Sequence, residues 1–277
     1  MGLLTDMARS SAARVADARK RVPDAVLREA AIAAPPPPRL TLAPGGFDLI
    51  AELKLRSPSS GDLSAATLDP LRRLEAYAEG GAALCSILTE PTRFDGDLEH
   101  LRRAAGVLAP YGVPAMRKDF LVDAYQLLEA RACGASGALL ILRMLPRERL
   151  TSMLDCAAEL GLFVLLEAFD AADLAVARAV AAERAGRDEQ VLIGVNCRDL
   201  ETLAIDASRF AALRDQLPSG WPPVAESGVQ TPEDAARVAA LGYRLALVGT
   251  SLMQRADPRD AVRDLLRAGR AARGGAA

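Results

Sequence analysis

The chain has 277 residues, 51% of them hydrophobic and 25% charged, and a net charge of −2. That balance supplies a large core and excludes nucleic acid as the main partner, because phosphate backbones call for a basic face. A single histidine, His100, and four scattered cysteines without a CxxC pair leave little from which to build a metal centre, so neither metal nor cofactor is expected.

Cys85, Cys133, Cys156 and Cys197 read as small buried residues in a reducing cytosol. There is no signal-peptide core, and no apolar run reaches the roughly 18 residues of a spanning helix, so a soluble cytoplasmic protein without membrane contact is expected.

Residues 3–33 read as one or two amphipathic helices rich in Ala, Arg and Asp. Pro35-Pro36-Pro37-Pro38 then forces an extended link. The first 38 residues are thus expected to form a helical extension, a lid or cover on the main fold.

A regular alternation follows. Strand-like runs fall at residues 48–54, 83–89, 114–118, 138–142, 163–168, 191–196, 223–227 and 245–249. Helical patterns fall between and after them, at 71–79, 98–108, 124–133, 147–160, 171–185, 207–216, 232–241 and 258–268. Asp69-Pro70, Thr231-Pro232 and Asp257-Pro258 each set a capping residue before proline at the first helical position. Eight strand–helix units predict a closed parallel sheet, a single (β/α)8 TIM barrel over residues 39–270, with 271–277 as a flexible tail. An open doubly wound sheet fits less well, since no GxGxxG follows the first strand.

Polar residues collect where these strands end. Alternation points Glu52 and Lys54 to one side and Leu53 to the other. Lys118, Glu167, Asn196, Glu226 and Ser227 end other strands that are otherwise apolar. Glu52 with Lys54 would also suit a purely structural ion pair. Ion pairing explains less well why polar groups stand at only this end of at least five strands, which instead predicts a catalytic mouth. Separately, Ser227-Gly228 and Gly249-Thr250 give glycine turns after the seventh and eighth strands. Such turns, with a short helix beginning near Thr250, suit a phosphate, and Lys54 would add a charge there.

Six segments, in order, each at a strand end, resemble the indole-3-glycerol phosphate synthase family. They are Ile50-Ala51-Glu52-Leu53-Lys54 with Ser57-Pro58-Ser59, Leu88-Thr89-Glu90-Pro91, and Arg117-Lys118-Asp119-Phe120. Gly194-Val195-Asn196-Cys197-Arg198-Asp199-Leu200, Ala225-Glu226-Ser227-Gly228 and Val248-Gly249-Thr250-Ser251-Leu252-Met253 complete the set. The resemblance spans roughly residues 49–258.

It implies a phosphorylated small-molecule substrate, ring closure with loss of carbon dioxide and water, and a monomer or weak homodimer. It also implies Lys118 as general acid. A lysine both stabilises charge and gives up a proton, most readily where neighbours lower its pKa. Lys54 resembles the partner lysine, Glu52 the carboxylate that positions it, and Glu167 the base for dehydration. Asn196 and Glu226 would hold hydroxyls, with Arg198 over the ring or its carboxylate. Ser57, Ser227, Gly228, Gly249 and Thr250 map onto the phosphate site, and Phe94, Phe120, Leu139 and Pro58 onto the aromatic pocket. Phe94 and Leu139 suit a plain core role equally.

Three positions depart from the family pattern. Phe169 stands near an expected histidine, Thr250 stands where Glu or Ser is usual, and Arg143 has no evident role. Another phosphate-binding barrel enzyme, such as phosphoribosylanthranilate isomerase, would want a Cys/Asp pair at the first and sixth strand ends, where Glu52/Lys54 and Asn196 stand. A non-catalytic barrel should have lost Lys54, Lys118 or Glu167, and all are present.

Overall fold

The computed structural model describes residues 2–57, 61–62 and 69–274. Eight parallel strands close into a barrel: β1 (Asp48–Leu53), β2 (Leu84–Leu88), β3 (Ala115–Lys118), β4 (Gly137–Ile141), β5 (Phe163–Ala168), β6 (Val191–Asn196), β7 (Pro223–Glu226) and β8 (Leu245–Val248). Each pairs with its sequence neighbours, and β1 closes the ring by pairing with both β2 and β8. Closure leaves no sheet edge, so every strand is protected from pairing with another chain.

Strand parity divides the core in two. Ile50, Leu84, Met116, Leu139, Phe163, Leu165, Leu192, Val224 and Leu245 fill the barrel interior. Their alternates, among them Leu49, Leu53, Cys85, Leu140, Leu166 and Ile193, pack outward among the helices. All four cysteines are buried and free, as small apolar residues.

The helix starts follow their capping residues. Asp69 accepts from the amides of Leu71 and Arg72, Asp257 from that of Asp260, and Thr231 forms a full capping box with Asp234. Element ends differ slightly from the sequence reading. The pattern at 207–216 divides into a helix at Ser208–Leu213 and a 3-10 turn at Arg214–Gln216, and the last helix runs from Pro258 to Gly274. Two short helices add to the pattern, Pro91–Phe94 and the expected one at Thr250–Met253. Among the described residues, no helix is long and apolar enough to cross a membrane.

The extension is two helices, α1 (Leu3–Arg21) and α2 (Asp24–Ala33). Both dock on the barrel. The α1 helix runs beside the loop after β3, where Arg14 reaches Asp119 and Arg19 reaches Asp123. Packing of α2 falls on the helix Tyr125–Ala132. The proline link forms no helix or strand, and beyond it Leu40 joins the interior core, its carbonyl accepting from Gln190.

Candidate active site

Every side chain expected at the mouth that is among the described ones lines one open cavity at the C-terminal ends of the strands. The Ser57 backbone pairs with Gly61 in a two-residue ribbon, and its side chain, like Pro58, lies outside what is described.

Glu52 is the hub on the β1 side. One carboxylate oxygen meets Lys54 Nζ at 3.0 Å, and the other lies 3.8 Å from Lys118 Nζ. Burial works to raise the Glu52 pKa, but the two ammonium groups together outweigh it and hold the carboxyl below its ordinary range. Lys118 shows the mirror balance. Burial favours its neutral form, yet Glu52, Glu167 and Glu226 overcome that and raise its pKa above the usual lysine value. The neighbours therefore act opposite to the expectation of a lowered pKa, because they are carboxylates rather than cations. They keep the ammonium charged.

Across the mouth, Asn196 donates through its amide nitrogen to Glu167. Its orientation is set locally, since its Oδ1 accepts the backbone N–H of Arg198 at 2.9 Å and so turns the NH2 toward Glu167. Glu226 differs from the other carboxyls. It is 1% exposed, and neither oxygen has a hydrogen-bond partner among the described residues. Burial first, then the nearby Glu167, pushes its pKa well above the carboxylate norm, with Lys118 only partly offsetting. Its carboxyl fills the space that a Cβ at Gly194 would occupy. That contact accounts for the glycine two residues before Asn196 on an otherwise apolar strand.

The glycine turns lie on the β7–β8 side. Ser227 (φ 65°) and Gly228 (φ 70°) turn consecutively through the left-handed region. A side chain at Gly228 would also strike Cys197 Sγ. Gly249 leaves room for Glu52, and Thr250 and Ser251 begin the short helix facing the cavity. The Ser251 hydroxyl is buried and has no hydrogen-bond partner among the described residues.

Local sequence explains much of this placement. In the Leu88-Thr89-Glu90-Pro91 segment, the Glu90 carboxylate accepts from the amides of Thr92 and Arg93, starting the helix that delivers Phe94. Phe94 lies 6.3 Å from Phe120, ring centre to ring centre. Asp199 accepts from the amides of Glu201 and Thr202, shaping a hairpin in which Arg198 pairs with Ile205. The Arg198 guanidinium donates to Leu203 O at 2.9 Å.

Sequence reasoning missed several cavity residues: Leu3, Leu200, Leu203, Ile205 and Ser251. Leu3 comes from the first turn of α1, and no periodicity signals which barrel face a distant helix end will meet. Arg143 and Phe169, two of the positions departing from the family pattern, are partners. The guanidinium sits 4.5 Å over the ring and bonds Asp170 and Asp173, while the Phe169 amide donates to Asp173. Among the described residues no group of His, Cys, Asp and Glu could hold a metal ion.

The indole-3-glycerol phosphate synthase family model matches residues 4–265. The chain belongs to the indole-3-glycerol phosphate synthase family. It is 42% identical over 263 residues to the indole-3-glycerol phosphate synthase of a Nocardioides species, covering 95% of this chain and 94% of that one. The enzyme of that name from Kineococcus radiotolerans is 44% identical over 224 residues, covering 81% of this chain and 77% of the other. Solved structures with the same barrel include 3-hexulose-6-phosphate synthase from Salmonella typhimurium (TM-score 0.58, 15% identity, 80% of this chain and 98% of the other). Thiamine phosphate pyrophosphorylase from Pyrococcus furiosus gives 0.57 at 15% identity, over 82% and 97%. At that identity the likeness concerns the fold alone.

Proposed function

We propose that this chain is an indole-3-glycerol phosphate synthase, a carbon–carbon lyase of tryptophan biosynthesis. It converts 1-(2-carboxyphenylamino)-1-deoxyribulose 5-phosphate to indole-3-glycerol phosphate, carbon dioxide and water. One observation carries the reading. Two lysines share Glu52 on one side of a cavity, Glu167 stands braced by Asn196, and glycine turns suited to a phosphate close the rim.

The chemistry needs a proton donor, a base and two anion contacts. Attack of the carboxylate-bearing aromatic carbon on the ribulose carbonyl puts negative charge on the carbonyl oxygen. Lys118 supplies the proton, and the neighbouring acids, Glu52 first, keep it protonated at neutral pH. Carbon dioxide then leaves and the ring regains its aromaticity. Expelling the hydroxyl as water requires removal of a proton, which Glu167 accepts while Asn196 fixes its carboxylate. Lys54 engages the substrate carboxylate or assists the departing hydroxyl, with Glu52 holding it in place. Arg198 covers the ring or its carboxylate.

Ser227, Gly228, Gly249 and Thr250 take the phosphate, together with Ser57. Ser251, whose buried hydroxyl has no partner among the described residues, joins them. Phe94, Phe120 and Leu139 bound the aromatic end, with Pro58. The proposal includes a cytoplasmic location and a monomer or weak homodimer. Purified protein given the anilino-ribulose phosphate should develop indole absorbance and fluorescence, and protein that leaves the compound unchanged would refute the reading.

A further inference from the structure

Among the described residues the Lys118 ammonium makes an ion pair with Glu52 and no short hydrogen bond. The pair is 3.8 Å apart, beyond a good hydrogen bond, so the lysine's position follows the backbone of the β3 end. That backbone is clamped from behind. The Thr89 N–H donates to Lys118 O at 3.1 Å, and the Thr89 hydroxyl donates to Asp119 at 2.9 Å. Asp119 also accepts the Phe120 amide at 2.8 Å and the Arg117 guanidinium at 3.3 Å, so the side chain before Lys118 and the backbone just after Asp119 meet in one carboxylate.

One member of this network lies outside the barrel. Arg14 of α1 donates to both oxygens of Asp119, at 2.7 and 2.9 Å, from 105 positions away in sequence. The Asp119 side chain is fully buried, and a paired, planar guanidinium fork is the strongest partner available to it. Nearby, Gln126 accepts from the amides of Val122 and Asp123 and donates to Ser11 of α1 at 2.9 Å. The segment that carries both Lys118 and Phe120 is thus held against α1.

We infer that Arg14 is a positioning residue for Lys118, acting through Asp119 to hold the β3 end where its ammonium meets the cavity. The inference rests on Lys118 being the proton donor. Losing Arg14 leaves a buried carboxylate short of its best partner, and the strand end relaxes toward other donors. The glycine turns follow β7 and β8, across the barrel from β3, and among the described residues share no hydrogen bond or ion pair with this network, so the loss concerns turnover more than substrate capture.

The test compares Arg14→Ala, Arg14→Lys and Arg19→Ala. Arg19 serves as control because it bonds Asp123 on the same loop without touching Asp119. Arg14→Ala should lower kcat about 10- to 100-fold, the scale set by misplacing a reacting group by roughly 1 Å. KM should stay within about threefold, since uniform binding is untouched. Arg14→Lys, keeping the charge but not the fork, should fall between. Methylguanidinium should restore part of the lost kcat, and equal sodium chloride should not.

Acetic anhydride labelling of Lys118, read by peptide mass spectrometry, reports the position of the lysine without any turnover. Labelling should speed up in Arg14→Ala and stay unchanged in Arg19→Ala. Wild-type kcat and labelling in folded Arg14→Ala overturn the inference, and so does an equal loss of kcat in Arg19→Ala. If the wild type leaves the anilino-ribulose phosphate untouched while labelling still rises in Arg14→Ala, the activity reading falls and the positional one stands.

Discussion

The carboxyl of Glu226 lies in the space that a side chain at Gly194 would need. Two neighbouring strands, β6 and β7, therefore share one volume, and the smaller residue yields it to the acid. Gly194→Ala should cost about 1–3 kcal/mol through overpacking, measurable by chemical denaturation. Removing the clash from the other side, in Gly194→Ala with Glu226→Ala, should recover part of that loss. Strict additivity of the two substitutions would show that they do not compete for the same space.

Glu226 also predicts a pH dependence. Its folded pKa is raised well above 4.5 by burial and by Glu167, so between the unfolded and folded values the native state binds the extra proton. Stability from this group is complete below about 4.5 and declines as pH rises through the folded value. Glu226→Gln should remove that decline. The difference in Tm between variant and wild type should move in the variant's favour from pH 5 to pH 8, and a constant difference would refute the assignment.

Asp119 runs the opposite way. Burial opposes its charge, but Arg14, Arg117 and the Phe120 amide overcome it and hold the pKa down to about 2, from 3.8. Its contribution is present above 3.8 and fades as pH falls toward 2, amounting to about 2 kcal/mol. Asp119→Asn should flatten the acid end of the stability profile, checked by urea titrations at pH 2.5 and pH 6.

Lys118→Ala should reduce turnover about 10²–10⁴-fold while leaving the circular dichroism spectrum intact. Lys118→Arg should do little better, since guanidinium keeps its proton. Because the Lys118 pKa is raised, the wild-type rate should show no loss from this group as pH climbs through the neutral range. Near wild-type formation of product by Lys118→Ala would remove the lysine from the acid role.

Glu167→Gln should separate the steps. Decarboxylation precedes dehydration, so a rapid-quench experiment should find carbon dioxide released ahead of indole, with the second step slowed about 10²-fold or more. Simultaneous, equally slowed release of both would place Glu167 elsewhere in the sequence of events.

Much of this molecule was written along the chain. Capping residues before prolines marked helix starts at Asp69, Thr231 and Asp257, and polar residues at the ends of otherwise apolar strands placed Glu52, Lys118, Glu167, Asn196 and Glu226 at one mouth, where they line one cavity. These are local properties, decided by sterics and by where a strand ends, so they survive without knowledge of neighbours. The family resemblance added roles to positions that their place at strand ends had already gathered at one mouth.

Other features were settled only by folding. That Glu52 serves both lysines, that Asn196 braces Glu167, and that Gly194 is small for the sake of Glu226 all depend on which strands lie side by side. The direction of the Lys118 shift came out opposite to expectation because it sums charges from three other strands. Leu3 in the cavity and Arg14 against Asp119 depend on where a distant helix docks. Sequence carries the period of each element, whereas pairing, burial and electrostatic balance arise between elements and exist only once the barrel is closed.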